Sequence, residues 1–258
     1  MIPAHRLYGQ GEKSIVMLHG LFASKENFHT LARRLEEEFS VYSLDLRNHG
    51  ESHHEPDMSY PLMAGDVAEF IEKQNLSKPY LFGHSVGGKT AMELVLSRPE
   101  LVAGVIVEDI VPRRYDPTVS RELAALKELP LESIESRRDA EEWMTERIGN
   151  RAVALFLLKN LVSKEGVGYA LRLDIEAIHS SDQALLDFQP AGRRYDGPVL
   201  FLKGGASRFI SVSDEELARG VFPQARFETL DGASHWVHAE RLDDVVRLVL
   251  EFSRQLGQ

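Results

Sequence analysis

The chain contains no cysteine. Disulfides, thiolate catalysis and Cys-ligated zinc are therefore excluded, and the usage fits a reducing compartment. Positive charge is also scarce: 30 Lys and Arg stand against 40 Asp and Glu, a net charge of −10. A nucleic-acid partner held by a basic surface is not expected from that balance. No uninterrupted apolar run approaches the roughly 18 residues of a membrane span. The opening Met1-Ile-Pro-Ala-His-Arg-Leu-Tyr8 lacks the apolar core of a signal peptide. Internal repeats, low-complexity tracts and long linkers are missing as well. The expectation is a soluble, cytoplasmic protein without a membrane span.

What is present is a chain of 258 residues with 43% hydrophobic content, enough for one α/β domain with a small inserted lobe. Short apolar runs alternate with amphipathic stretches. Ser14–His19, Ser40–Asp45, Pro79–Phe82, Leu101–Val107, Gly197–Lys203 and Ala225–Leu230 read as strands. Residues 27–39 carry Phe28, Leu31, Leu35 and Phe39 near helical spacing. Tyr60–Gln74 and Leu242–Phe252 read as further helices. Such alternation implies a mainly parallel sheet covered on both faces. It breaks at Val111-Pro-Arg-Arg114. From 113 to 190 the chain is charged, helical and short of strand signals, with its clearest helices at 141–148 and 153–158. The expected organisation is a core of residues 1–112 and 191–258 with a helical cap, 113–190, inserted in it.

The segment richest in chemical meaning is Gly83-His-Ser-Val-Gly-Gly88, between the strand ending at Phe82 and a helix-like run from Lys89. A G-x-S-x-G sequence in a strand-to-helix turn holds its serine at the strand tip with the hydroxyl exposed. Backbone N–H groups at the helix start can stabilise a developing oxyanion. Ser85 is thus the candidate nucleophile; the plainer reading is a glycine-rich turn that starts a helix.

Taken with His19-Gly-Leu-Phe-Ala-Ser24, Asp45-Leu-Arg-Asn-His-Gly50 and His235-Trp-Val-His-Ala-Glu240, this motif gives the chain its resemblance to the α/β-hydrolase family. Within the family it resembles the small bacterial esterases of the YbfF type and their mitochondrial relatives. The resemblance implies the α/β-hydrolase fold and a Ser–His–carboxylate triad. A serine hydroxyl needs a base to be a nucleophile near neutral pH. The family places that base where His235 stands, after a strand and a small-residue loop. His84 is expected to be wall or support, His238 to stand behind His235, and His19 and His49 to brace loops. A His19–His84 metal site has no supporting carboxylate or cysteine spacing.

The acid departs from the commonest pattern. Most members carry Asp in the loop after the strand matching Pro198–Lys203, and here Ser207 stands in that place. A serine cannot stabilise an imidazolium by charge. Asp109, at the end of the strand next to the nucleophile's, is the carboxylate that the YbfF-like group implies. Triad members are defined by geometry and role, not chain order. Glu108 and Asp109 should point to opposite faces, so only one of them can serve. Asp231, close to His235 in sequence, is the alternative, although an Asp-Gly pair often only shapes a turn. The oxyanion donors implied are the Val86 N–H and the Leu21 N–H, with Phe22 N–H the next choice. Phe22, His84 and Trp236 are expected to line the substrate pocket.

The activity implied is that of a serine carboxylester hydrolase acting on a small-molecule ester, without metal or organic cofactor. Ser85 argues against dehalogenase and epoxide-hydrolase chemistry, which need a carboxylate at the elbow. Thioesterases, carbon–carbon bond hydrolases and perhydrolases share the triad, and a ligand receptor that does not turn over shares the fold.

Overall fold

The computed structural model describes residues 2–116, 120–164, 166 and 168–256. Nine strands are described: β1 (His5–Tyr8), β2 (Lys13–Leu18), β3 (Phe39–Leu44), β4 (Tyr80–His84), β5 (Gly104–Glu108), β6 (Leu161–Lys164), β7 (Gly168–Leu171), β8 (Val199–Gly204) and β9 (Ala225–Leu230). Seven of them form one sheet in the order β1-β3-β2-β4-β5-β8-β9. All its pairings are parallel except that of β1 with β3. This is the α/β-hydrolase architecture.

Strand alternation sends neighbouring side chains to opposite faces. Val16, Leu18, Leu81, Val105 and Val107 join one apolar cluster, whereas Ile15, Met17, Tyr80, Phe82 and Ile106 join the other. Because both faces are buried, the strands read as continuous apolar runs in the sequence. Helices α1 (His29–Leu35), α2 (Tyr60–Lys73) and α3 (Val86–Ser97) connect the first strands. Between β5 and β8 the chain leaves the sheet through α4 (Ser120–Glu128), α5 (Arg137–Ile148), α6 (Arg151–Leu157), the β6–β7 hairpin, α7 (Ile175–Ser180) and α8 (Asp182–Leu186). It returns for α9 (Val212–Val221), α10 (Val237–Glu240) and α11 (Leu242–Gln255). No described helix is long and apolar enough to cross a membrane.

Three local expectations are revised. The helix expected over 27–39 ends at Leu35, and Phe39 opens β3. Phe39 is apolar because it packs in the sheet's core, and its helical spacing from Leu35 is coincidental. The inserted segment is not purely helical, since β6 and β7 pair antiparallel. Those strands are four residues long and half exposed, too short for an alternation signal. Strand β1, equally short, carries no such signal either. The apolar cluster on the α2–α3 face continues into the insertion through Leu123, Met144, Leu157 and Leu185.

Candidate active site

The turn after β4 is tight for a steric reason. A Cβ on Gly87 would run into the Leu18 carbonyl, and one on Gly83 into the Gly87 carbonyl. With no side chain at either position, β4 passes directly into α3 against β2. Ser85 sits at the apex with φ 52° and ψ −116°. A non-glycine residue held there stores roughly 1–3 kcal/mol of backbone strain. Its own N–H donates to the Glu108 carbonyl at 3.1 Å, which ties the turn to the end of β5.

Glu108 and Asp109 diverge. Glu108 turns to the α1–α11 side, where its carboxylate accepts the backbone N–H of His238 at 2.6 Å and meets His238 Nδ1 at 2.8 Å. Asp109, fully buried and with φ 51°, lies just past the end of β5. There His235 Nδ1 donates to Asp109 Oδ2 at 2.8 Å, and the Gly204 N–H donates to Oδ1 at 3.0 Å. Ser207 Oγ also donates to Oδ2, while accepting the Phe209 N–H at 3.2 Å. The carboxylate and the hydroxyl at the commoner acid position therefore share one hydrogen-bond chain. Asp231 is exposed in the turn after β9, and no hydrogen bond joins its carboxylate to His235.

Three contacts fix the His235 ring and loop. Phe209 stacks on the imidazole with ring centres 3.9 Å apart and planes 17° from parallel. His84 Nε2 donates to the His235 carbonyl at 3.0 Å. Gly204 lets the loop pass, since a Cβ there would strike the Ser234 carbonyl. Burial first, then the neighbouring His235 and His238, hold His84 well below the usual histidine range. That favours the neutral ring, with Nε2 engaged on the His235 carbonyl. Ser85 Oγ and His235 Nε2 are not joined by a hydrogen bond, but both side chains face one cavity. In serine hydrolases that bond is often loose before substrate docks.

The loop after β2 supplies the other wall. Phe22, with φ 60°, gives its N–H to His49 Nε2 at 3.3 Å, while Asn160 Nδ2 donates to its carbonyl at 2.7 Å. The Phe22 amide is thus occupied, whereas no partner is described for the Leu21 N–H. His49 Nδ1 donates to the Arg47 carbonyl, so Nε2 is free to accept. Burial above all, then His19, pushes His49 down to about 3, which keeps it neutral. His19 is engaged likewise, Nδ1 on the Gly20 carbonyl and Nε2 on the Leu46 N–H. Neither ring has a nitrogen left for a metal. Among the described residues, no group of three or more His, Asp or Glu is placed to hold one.

Asp45 locks the two loops together by accepting the Lys25 N–H, the Lys25 ammonium and the Glu51 N–H. Burial works to raise its carboxyl, but His19, the Glu51 amide and Lys25 together hold it below the usual value. His49→Ala leaves the Phe22 N–H without its acceptor, and urea unfolding should show a loss of about 1–3 kcal/mol. An unchanged midpoint would mean that the loop does not depend on this bond.

The cavity measures about 170 Å³. Ser85, His235, Leu21 and Val86 line its floor, with Phe22, His84 and Trp236 beside them. Val153, Phe156 and Leu157 from α6 face it from the insertion, with Phe156 5.6 Å from the Trp236 ring. Phe209, Asn160 and Lys89 are among the residues here that sequence reasoning did not assign. Phe209 and Asn160 lie in segments without a motif, and Lys89 sits inside one but reads as the start of a surface helix.

A sequence profile of the alpha/beta hydrolase fold matches residues 13–242. The chain belongs to the alpha/beta hydrolase family. Among relatives of this hydrolase, the sn-1-specific diacylglycerol lipase ABHD11 of Xenopus tropicalis is 38% identical, over 92% of this chain and 77% of the relative. Esterase YbfF of Escherichia coli strain K12 is 33% identical over 92% of each chain. A solved structure, described as a marine microorganism esterase, superposes with a TM-score of 0.94 at 37% identity, covering 97% of this chain and 99% of that one.

Proposed function

We propose that this hydrolase is a serine carboxylester hydrolase that works through an acyl-enzyme. The observation that carries the reading is the Asp109–His235 hydrogen bond at the edge of the cavity that Ser85 enters. With Nδ1 bound to a carboxylate, the imidazole holds the tautomer whose Nε2 is a base. Ser85 Oγ attacks the ester carbonyl carbon as its proton passes to His235 Nε2. The Leu21 and Val86 N–H groups receive the oxyanion. Collapse breaks the bond to the alcohol oxygen, which leaves with the proton from His235. Water then attacks the acyl-enzyme, His235 takes one of its protons, and the acid departs as Ser85 regains its hydrogen. Relatives described as an esterase and as a diacylglycerol lipase support this class of reaction.

The test is steady-state turnover of a short-chain p-nitrophenyl ester, followed by an acyl-length series. Absence of turnover on every ester would leave the triad as a ligand-binding relic.

The insertion, 113–190, serves in this reading as the roof of the pocket. Its far end is tied down: Tyr60 Oη donates to the Leu185 carbonyl, and the Met58 N–H donates to Ser181 Oγ at 3.0 Å. Hydrogen exchange should therefore be fastest in α4 and α5, intermediate in α8 and slowest in β4 and β5. Equal protection of α4 and β4 would count against a moving roof.

A further inference from the structure

The cavity beside Ser85 is mostly apolar, yet Lys89 lines it. Lys89 follows Ser85 by one turn of α3 and is 2% exposed. Among the described residues, no carboxylate lies within ion-pairing distance of it. Its ammonium donates to the Leu186 carbonyl at 3.0 Å and lies 4.8 Å and 5.3 Å from the ring centres of Tyr115 and Tyr60. An ammonium carries three N–H donors, and one carbonyl takes only one of them. The rings stabilise the charge through their faces but accept no conventional hydrogen bond.

The two tyrosine hydroxyls beside it are already engaged. Tyr60 Oη is bound to the Leu185 carbonyl. Tyr115 Oη donates to the Phe209 carbonyl and accepts the Val111 N–H. Among the described residues, Lys89 is the only lysine or arginine in the cavity wall, and it has donors to spare. Burial foremost, then Arg113, brings it down to about 7, and Arg114 adds to this while Asp187 opposes it. An apolar chain packed against such a group would leave those donors desolvated and unmatched, which is unfavourable. The two carboxylates of the wall, Glu122 and Asp182, come from α4 and α8 and make no ion pair with it.

We infer that Lys89 is a substrate-binding residue, and that the preferred ester carries a carboxylate that the Lys89 ammonium receives, separated from the scissile carbonyl by a short apolar chain. The inference rests on the ester-hydrolase reading and deepens it by naming a substrate class. A charge-assisted pair in a water-poor cavity discriminates by roughly ten- to hundredfold.

The experiment compares kcat/KM for matched pairs in a pH-stat. Monoethyl esters of four- to seven-carbon diacids are set against ethyl esters in which an isopropyl group replaces the carboxylate, such as monoethyl glutarate against ethyl 5-methylhexanoate. Acetyl esters of ω-hydroxy acids cover the alcohol side in the same way. The wild type should favour the carboxylate by at least about tenfold at one length on one side. Lys89→Met should bring that ratio close to one, mainly through KM. Lys89→Gln takes its place if the methionine variant does not fold.

A wild type that prefers the isopropyl esters at every length overturns the inference, with Glu122 and Asp182 then dominating the wall. A preference that survives in the Lys89 variant overturns it too, because another group would be reading the carboxylate. Turnover of the neutral esters alone leaves the hydrolase reading standing without this refinement. Turnover of neither kind removes the hydrolase reading itself.

Discussion

Ser85→Ala should reduce ester hydrolysis by about 10⁴–10⁶ in kcat while the protein stays folded. The hydroxyl is at the apex of the turn after β4, half-buried, and holds no part of the fold by hydrogen bonding. The geometry of that turn is imposed by Gly83, Gly87 and the β4–α3 connection, none of which the substitution touches. Alanine leaves the strained φ of 52° in place, so stability should change little, and circular dichroism and thermal melting should match the wild type. What disappears is the only protein atom in the proposed mechanism that forms a covalent bond to the acyl group. An organophosphate or sulfonyl fluoride should label the wild type at Ser85 and leave the variant unlabelled. Labelling at another serine, or full turnover by the variant, would overturn the assignment.

Asp109→Asn should lose several orders of magnitude in kcat/KM on the same ester. In the parent, Asp109 Oδ2 accepts from both His235 Nδ1 and Ser207 Oγ, and Oδ1 accepts from Gly204 N–H. An amide can present only one acceptor oxygen, so its NH₂ group must face at least one of these donors. If it faces His235, the ring flips to the wrong tautomer and Nε2 can no longer take the serine proton. The imidazolium that forms during attack also loses its counter-charge. Ser207→Ala should stay within about tenfold of wild type, since it removes one hydrogen bond from a carboxylate that keeps two others. Asp231→Asn should behave as a turn substitution and affect stability more than rate. Measuring kcat/KM for all three at neutral pH separates the candidates. Near-normal activity in Asp109→Asn together with collapse in Asp231→Asn would mean that the wrong carboxylate had been chosen.

The outcome at Glu108 and Asp109 illustrates how far local reasoning carries. Alternation along a strand would send these two neighbours to opposite faces, but β5 ends at Glu108 and Asp109 has φ 51°, so the turn at the strand's end, not the pleat, separates the carboxylate that meets His238 from the one that meets His235. Alternation does not say which side holds the base. That depends on where the loop after β9 returns, and its path is governed by contacts with β8, including the gap at Gly204. Asp109 therefore follows from the family resemblance, and its contact with His235 from the fold.

The sequence alone determined whatever is encoded in a few adjacent residues or one period. The parallel sheet was legible because strands buried on both faces must be apolar throughout. The elbow was legible because a turn this tight admits glycine at 83 and 87 and little else. The insertion was legible as a loss of strand pattern after Val111. Only the tertiary structure decided the rest. Phe209 on the His235 ring, His49 under the Phe22 amide, Asn160 reaching from the insertion to the Phe22 carbonyl and Lys89 in the cavity wall all act on partners far away in the chain. Their residue types suit a surface, a core or a site equally well. A side chain's role there is set by which neighbours its backbone brings within about 3 to 4 Å, and that is a property of packing, not of spacing.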